Sequence, residues 1–173
     1  MKQLEKMILF AGIVVIAGLA VLALGWFARF WFSGCGEADA SGISSLELDL
    51  SGGTVALEED THGGFHGDGC AFTVMTFDAE DRKALEADMN GDCWHALPMT
   101  ENVARAVQSL AIGEDGESLF PEITQGYYYF RDRHSQSTDP GDDSGLFSRA
   151  SWNFTMAVYD SETGTLYYFA LDT

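Results

Sequence analysis

The chain has 173 residues, of which 27 are acidic and 9 are basic, so its formal net charge at neutral pH is −18. Such a negative surface repels phosphate backbones and anionic lipid headgroups, which excludes nucleic acid and favours basic or cationic partners. Its hydrophobic fraction of 46% and aromatic fraction of 13% argue against a disordered chain.

The first element in chain order is the apolar run Met7–Ala28, which contains no charged side chain. As a helix it would extend about 33 Å, enough to cross a hydrocarbon core of about 30 Å. Lys2 and Lys6 precede the run, and Arg29 is the only base that follows it closely. This bias predicts that residues 1–32 form a cytoplasmic tip and a transmembrane segment, with the remaining chain outside the cell.

Three fates of this segment are open. An uncleaved signal anchor is favoured, because the apolar run exceeds the roughly 7 to 15 residues of a secretory signal core. The segment Phe32–Cys35 resembles a lipobox with Cys35 as the lipidated residue, although Phe32 replaces an aliphatic residue and Arg29 interrupts the apolar stretch. The segment Ala38–Ala40 is similar to a signal peptidase site but lies far from the apolar run.

The rest of the chain divides into a stalk and a domain. Residues 33–42 include the small, polar segment Glu37–Gly42 and predict a flexible stalk. Residues 43–173 fall in the length range of a single domain, so we expect one extracytoplasmic domain.

The domain begins with two predicted strands. Leu46, Leu48 and Leu50 alternate with polar residues, which is the period of a half-buried strand. A turn at Ser51–Gly53 predicts a hairpin with a second strand over Thr54–Glu58, in which Val55 and Leu57 face inward.

A further strand and two helices follow. Ala71–Phe77 predicts a third strand. A helix is predicted over Ala79–Met89 with Asp78 as its N-cap. Thr100 caps a second predicted helix, which ends at Gly113 and carries an apolar stripe.

Strands return at the C-terminal end. Tyr127–Asp132 predicts a strand, and the polar run His134–Gly145 predicts a mobile loop. The alternation over Trp152–Val158 and the run Leu166–Leu171 flank a turn at Asp160–Gly164 and predict a hairpin. Because strands lie at both ends around a helical pair, the sequence predicts an α+β domain: a mostly antiparallel sheet with two helices packed on one face.

The three cysteines are Cys35, Cys70 and Cys93. Outside the cell, where thiols are oxidised, Cys70 and Cys93 remain as an even pair whatever happens to Cys35, so we expect a Cys70–Cys93 disulfide. If Cys35 is not lipidated, it is an odd thiol near the membrane.

The segment Asp60–Gly69 holds the candidate chemistry. Asp60, His62, His66 and Asp68 are ligand types that zinc accepts, and a divalent metal such as zinc is the one cofactor that the segment suggests. Its glycines disfavour a helix, so the spacing of the two histidines does not place both rings on one face. A structural loop and another ligand-binding role are the alternatives.

Enzymatic signatures are few. The sequence contains neither a Gly-x-Ser-x-Gly elbow nor a His-Glu-x-x-His pair. A thiol nucleophile is conceivable, since Cys93 lies beside His95 and Cys70 lies near His66. The leading hypothesis is a membrane-anchored binding or interaction module that is not an enzyme, and the rival is a metal-dependent or thiol enzyme of the cell envelope.

Three segments carry a resemblance: Asp60–Gly69, the tyrosine-rich Gly126–His134 and Asn153–Asp160. Together they resemble small membrane-anchored extracytoplasmic bacterial proteins of unknown function. The resemblance covers most of the external domain and implies no activity or catalytic residue.

Overall fold

A computed structural model of the chain describes residues 42–63, 67–89 and 93–173. All of them belong to one unit, Glu37–Thr173. The elements in chain order are a 3₁₀ turn (Ile43–Leu46), β1 (Thr54–Asp60), β2 (Gly69–Thr76), α1 (Asp81–Asp88), β3 (Trp94–Ala96), α2 (Glu101–Ser109), β4 (Gly126–Asp132), β5 (Asn153–Asp160) and β6 (Thr165–Asp172). The predicted α+β class is confirmed.

The six strands form one sheet in the order β1-β2-β6-β5-β4-β3, and every neighbouring pair is antiparallel. The predicted C-terminal hairpin is confirmed as β5–β6 at the centre of the sheet. Its turn closes because the Asp160 carboxylate accepts hydrogen bonds from Glu162 N and Thr163 Oγ1, while Gly164 takes a φ of 69°. Such a φ favours glycine.

One face of the sheet packs against α2. Successive side chains of a strand point to opposite faces, and residues paired across strands share a face. Met156 and Val158 of β5 pair with Phe130 and Tyr128 of β4, so these four side chains share a face. Val103 and Val107 of α2 belong to the same buried cluster. The buried cluster on this face comprises Phe72, Val103, Ala106, Val107, Ala111, Phe120, Tyr128, Phe130, Leu146, Phe154, Met156, Val158 and Phe169.

The opposite face is covered by the 3₁₀ turn and α1. Trp94 Nε1 donates to the Leu46 carbonyl at 3.4 Å, and Tyr129, paired with Trp94, donates to the Ser45 carbonyl at 3.3 Å. The Glu86 carboxylate of α1 interacts with Tyr159, which lies on this face because it alternates with Val158. The expectation that both helices pack on one face is therefore wrong.

The predicted N-terminal hairpin is also wrong. Leu46 belongs to the 3₁₀ turn and is 1% exposed, while Glu47 takes a left-handed φ of 56° that no strand accommodates. The second predicted strand does form, as β1, but it pairs with β2 at the edge of the sheet. Val55 and Leu57, expected to face inward, are 52% and 41% exposed.

The remaining elements follow the sequence more closely. The strand over Ala71–Phe77, the two helices and the strand over Tyr127–Asp132 are confirmed with small shifts at their ends. Thr100 caps α2 as predicted, accepting a hydrogen bond from Val103 N at 3.3 Å. The edge strand β3, only three residues long, was not predicted.

The predicted Cys70–Cys93 disulfide is not formed. Cys70 is a free cysteine in β2, and Cys93 immediately precedes β3. Strands β6, β5 and β4 separate β2 from β3, which corresponds to about 19 Å at roughly 4.8 Å per strand. A disulfide joins Cα atoms less than about 7 Å apart, so the sheet order excludes this bridge.

No helix within residues 42–63, 67–89 and 93–173 is long and apolar enough to span a bilayer. The apolar run Met7–Ala28, the lipobox-like Cys35 and the stalk up to residue 41 lie outside the described residues.

Candidate functional site

A cavity of about 300 Å³ opens where β3, β4 and the start of α2 meet the loop that follows β4. Its floor is apolar and its rim carries carboxylates. The lining residues are His95, Thr100, Val103, Tyr128, Phe130, Gly141, Asp142 and Asp143.

The aromatic wall of the cavity is set by strand register. His95 of β3 pairs with Tyr128 of β4, so both side chains lie on the face that α2 covers. Their ring centroids are 5.2 Å apart with an interplanar angle of 37°. Behind them, Phe130 and Val103 are 2% and 1% exposed and form a rigid apolar floor.

The acidic rim is held by hydrogen bonds to α2 and β4. Asp143 accepts hydrogen bonds from Thr100 Oγ1 and from Asn102 Nδ2, which fixes it at the start of the helix. Asp132, at the end of β4, forms a bidentate ion pair with Arg149 at 2.9 and 2.5 Å, and its backbone N–H donates to the Pro140 carbonyl at 2.7 Å. The predicted mobile loop is therefore anchored at both ends of its acidic stretch.

The charge state of the cavity follows from these contacts. Hydrogen bonds from the Ser144 backbone and hydroxyl lower the pKa of Asp142, which is ionised at neutral pH. Burial raises the pKa of Tyr128, and the nearby Asp143 charge adds to the effect, so the phenol is neutral. None of the described lining residues is a Lys or Arg, and Arg149, whose charge contributes to lowering the pKa of Asp142, is ion-paired with Asp132. An apolar, aromatic chamber with an anionic rim suits a positively charged organic group.

A second cavity, of about 270 Å³, lies on the other side of the same loop and is lined by polar side chains. Asp142 and Arg149 contribute to it. Arg149 is already ion-paired with Asp132. The other charged groups among the described lining residues are the carboxylates of Asp139 and Asp142.

Two of the predicted metal ligands, Asp60 and His62, belong to a hydrogen-bond network at one end of the sheet. His62 Nδ1 lies 2.7 Å from Asp60 Oδ1, and His62 Nε2 lies 3.1 Å from Asp172 Oδ2. Arg133 binds the Asp172 carboxylate through both terminal nitrogens at 2.8 and 2.9 Å, and Asn153 donates to it at 3.1 Å. The histidine is thus one member of a polar network that ties β1, β4, β5 and β6 together at one end of the sheet.

This network is poorly suited to zinc. Both ring nitrogens of His62 are engaged by carboxylates, and the guanidinium of Arg133 stands where a cation would reach Asp172. In the part of the chain that the structure describes, no group of three or more His, Cys, Asp or Glu residues is placed to hold a metal. His66 lies outside that part, so the four-ligand set stays a prediction.

The other candidate residues are dispersed. Asp68 is exposed at the start of β2 and has no hydrogen bond or ion pair with any described residue. Cys70 Sγ lies 3.4 Å from Thr61 Oγ1. Cys93 is 6% exposed, and His134 Nε2 contacts Ser151 Oγ at 3.1 Å. Neither of these two contacts joins a cysteine to a histidine.

Sequence reasoning missed the cavity because its walls come from four separate segments. His95, Tyr128 and Asp142 carry no shared motif, and only the sheet register brings the first two together. No protein-family model, curated protein or solved structure matches the chain. The cavity at His95 and Tyr128 and the network at His62 are the two candidate sites that the geometry provides.

Proposed function

We propose that this protein is a membrane-anchored, extracytoplasmic binding module that takes an alkylammonium or guanidinium group into the cavity at His95 and Tyr128. The observation that carries the proposal is the pairing of an aromatic wall with the ionised Asp142 in a cavity whose described lining residues include no Lys or Arg. A cation placed there gains both the carboxylate charge and the negative faces of the rings.

The size of the cavity limits the ligand. About 300 Å³ is at the lower end of small-molecule sites, so it accommodates an amine or one basic side chain but no large cofactor. The net charge of −18 raises the local concentration of cations and accelerates their capture, an effect that salt weakens.

The anchoring half of the proposal depends on the sequence. The run Met7–Ala28, with its basic N-terminal flank, supports a helix in the membrane and a domain outside it. A module held at the cell surface by one helix would sample cationic groups in the surrounding medium.

The full-length protein in neutral detergent micelles provides the test, by titration calorimetry with two probes. Spermidine represents a free amine, and a capped glycine-rich peptide whose only charge is one central lysine represents a protein side chain. We expect saturable binding of at least one probe, with affinity reduced roughly fivefold by Asp142→Asn and by Tyr128→Leu, because each removes one of the two attractive terms.

Asp115→Asn is the matched control, since Asp115 is an exposed carboxylate that is not among the lining residues of the cavity. It should leave the affinity within a factor of two. If neither probe saturates, or if the control weakens binding as much as Asp142→Asn, the cavity is not the site and the proposal fails. Binding of spermidine alone would assign free amines as the ligand class, and binding of the peptide would assign basic side chains.

A further inference from the structure

Strand β1 is the most exposed element of the described chain. All seven of its residues, Thr54–Asp60, are exposed, although every one of them except Ala56 is paired with a residue of β2. Val55 and Leu57 are the only large hydrophobic side chains exposed among residues 42–63, 67–89 and 93–173. An apolar pair on an unpaired edge strand marks an interaction surface.

The open side of β1 offers backbone groups for pairing. Thr61 N donates to the Cys70 carbonyl at 2.8 Å, so the backbone of Thr61 faces β2. Because the direction alternates along an antiparallel strand, the N–H and C=O groups of Glu58 and Asp60 point away from β2. These groups lie at the edge of the sheet, since β1 is the outermost of the strands that the described residues form.

Charge decides which strand can pair there. Glu58, Glu59 and Asp60 are consecutive carboxylates, and β1 contains no basic residue. The four ion pairs within the described residues include Asp60, through His62, but neither Glu58 nor Glu59. A second copy of this chain, with its own charge of −18, is repelled. A basic segment is attracted.

The bulge at Ala56 distributes the side chains over both faces. Val55 pairs with Met75 and Leu57 with Val74, so the two exposed apolar residues lie on opposite faces of the sheet. A strand that pairs with β1 would therefore contact Val55 on one face of the sheet and Leu57 on the other. Next to them it would meet the carboxylates of Glu58–Asp60.

We propose that β1 is a docking edge for an extended basic segment of a partner protein, which adds as a seventh strand and places consecutive Lys or Arg residues opposite Glu58–Asp60. Backbone hydrogen bonds to Glu58 and Asp60 supply affinity, and the carboxylates select for positive charge. This docking edge is separate from the cavity. The cavity opens beside β3, which forms the opposite edge of the sheet.

The experiment measures the anisotropy of a labelled, capped peptide, Lys-Lys-Lys-Val-Thr-Val, added to the full-length protein in neutral detergent micelles. The parent peptide should bind saturably. The same peptide with alternate backbone amides N-methylated keeps its charge and side chains but loses donors, so it should bind at least roughly fivefold more weakly. A Glu-Glu-Glu-Val-Thr-Val peptide should not bind.

Glu58→Pro tests the edge from the protein side, because it deletes an outward N–H without removing a ladder bond to β2. It should weaken binding of the parent peptide more than Glu58→Ala does, and both variants are compared in the Asp142→Asn background, which removes the cavity's attraction for lysine. If Glu58→Pro does not fold by circular dichroism, the N-methylated peptide remains decisive.

Equal affinity for the parent and N-methylated peptides would overturn strand addition and leave only surface charge. Loss of peptide binding in Asp142→Asn would also overturn it, since the cavity would then hold the lysines. Self-association of the chain that Glu58→Pro abolishes would make a second copy the occupant, which contradicts the proposal.

Discussion

At the scale of single residues, Tyr159 places a polar hydroxyl in the buried interior of the sheet. Its side chain is 0% exposed, and its hydroxyl has no partner within hydrogen-bond distance among the described residues, although the Glu86 carboxylate of α1 lies close enough to act on it. Burial, followed by the nearby Glu86 charge, raises its pKa from 10.0 to about 12. The neutral phenol is therefore the form that the fold retains.

Replacing Tyr159 with Phe removes a buried hydroxyl that makes no hydrogen bond to the described residues, so we expect the free energy of unfolding to rise by up to about 1 kcal/mol. The raised pKa also makes the wild-type protein lose stability as pH increases from about 10 to 12, because the unfolded chain releases this proton first. The variant should lose less over that range in urea titrations.

Tyr127→Phe is the control, because Tyr127 is half-buried at the start of β4. It should change the unfolding free energy by less than about 0.5 kcal/mol. A loss of more than 1 kcal/mol in Tyr159→Phe would show that the hydroxyl has a stabilising partner and would contradict this account.

At the scale of elements, Arg133 joins three strands at one end of the sheet. It binds the Asp172 carboxylate of β6 and donates to Thr155 Oγ1 and the Phe154 carbonyl of β5. Burial raises the pKa of Asp172, but the hydrogen bonds and charge of Arg133 outweigh burial, so the pKa is lowered overall.

Arg133→Gln should therefore destabilise the domain by about 2 to 3 kcal/mol, because it leaves Asp172 half-buried without its charged partner. The depressed pKa means that wild-type stability is present above the usual carboxyl range and is lost as pH falls through the lowered value. The variant should show a shallower loss of stability in acid denaturation.

Lys83→Gln gives the comparison, since Lys83 on α1 forms none of the ion pairs among the described residues. Its effect should stay within about 0.5 kcal/mol. If the two variants lose equal stability, the network contributes only through its charge.

Elements with strong local signals could be predicted from the sequence. The alternation of Phe154, Met156 and Val158 and the turn closed by Asp160 and Gly164 specify β5–β6 without any distant contact. The alternation of Leu46, Leu48 and Leu50 is equally regular, but the strand that it predicts does not form. Leu46 ends a 3₁₀ turn, and Glu47 after it has a left-handed backbone conformation.

The order of the strands in the sheet could not be predicted from the sequence. It determines both the separation of Cys70 from Cys93 and the contact of His95 with Tyr128. β2 lies between β1 and β6, whereas β3, the next strand in the chain, lies at the far edge of the sheet. Cys70 and Cys93 are therefore far apart. Likewise, three residues of β3 carry too short a pattern to read, yet they place His95 on Tyr128. Long-range pairing depends on burial across the whole sheet, which no local pattern encodes.

At the scale of the whole molecule, acidic charge and a single apolar run act together. The charge of −18 repels anionic surfaces, while the run Met7–Ala28 is predicted to hold the chain at the membrane. An acidic module anchored in this way would be suited to capture basic groups from the exterior.

This arrangement predicts that a tag placed after Thr173 is removed by protease added to intact cells, and that the full chain enters the detergent phase on phase separation. A cytoplasmic reporter protein in the same cells must stay intact as the control. A tag that is protected until the cells are broken would contradict the external location.

The most direct test of the central claim follows the Tyr128 ring itself by NMR, in the full-length protein with isotope-labelled tyrosine rings and with Tyr128→Phe used for assignment. Added spermidine or the lysine peptide should shift the Tyr128 resonance saturably and leave Tyr159, on the opposite face of the sheet, unchanged. An unmoved Tyr128 resonance at concentrations that saturate calorimetric binding would show that the cation binds elsewhere.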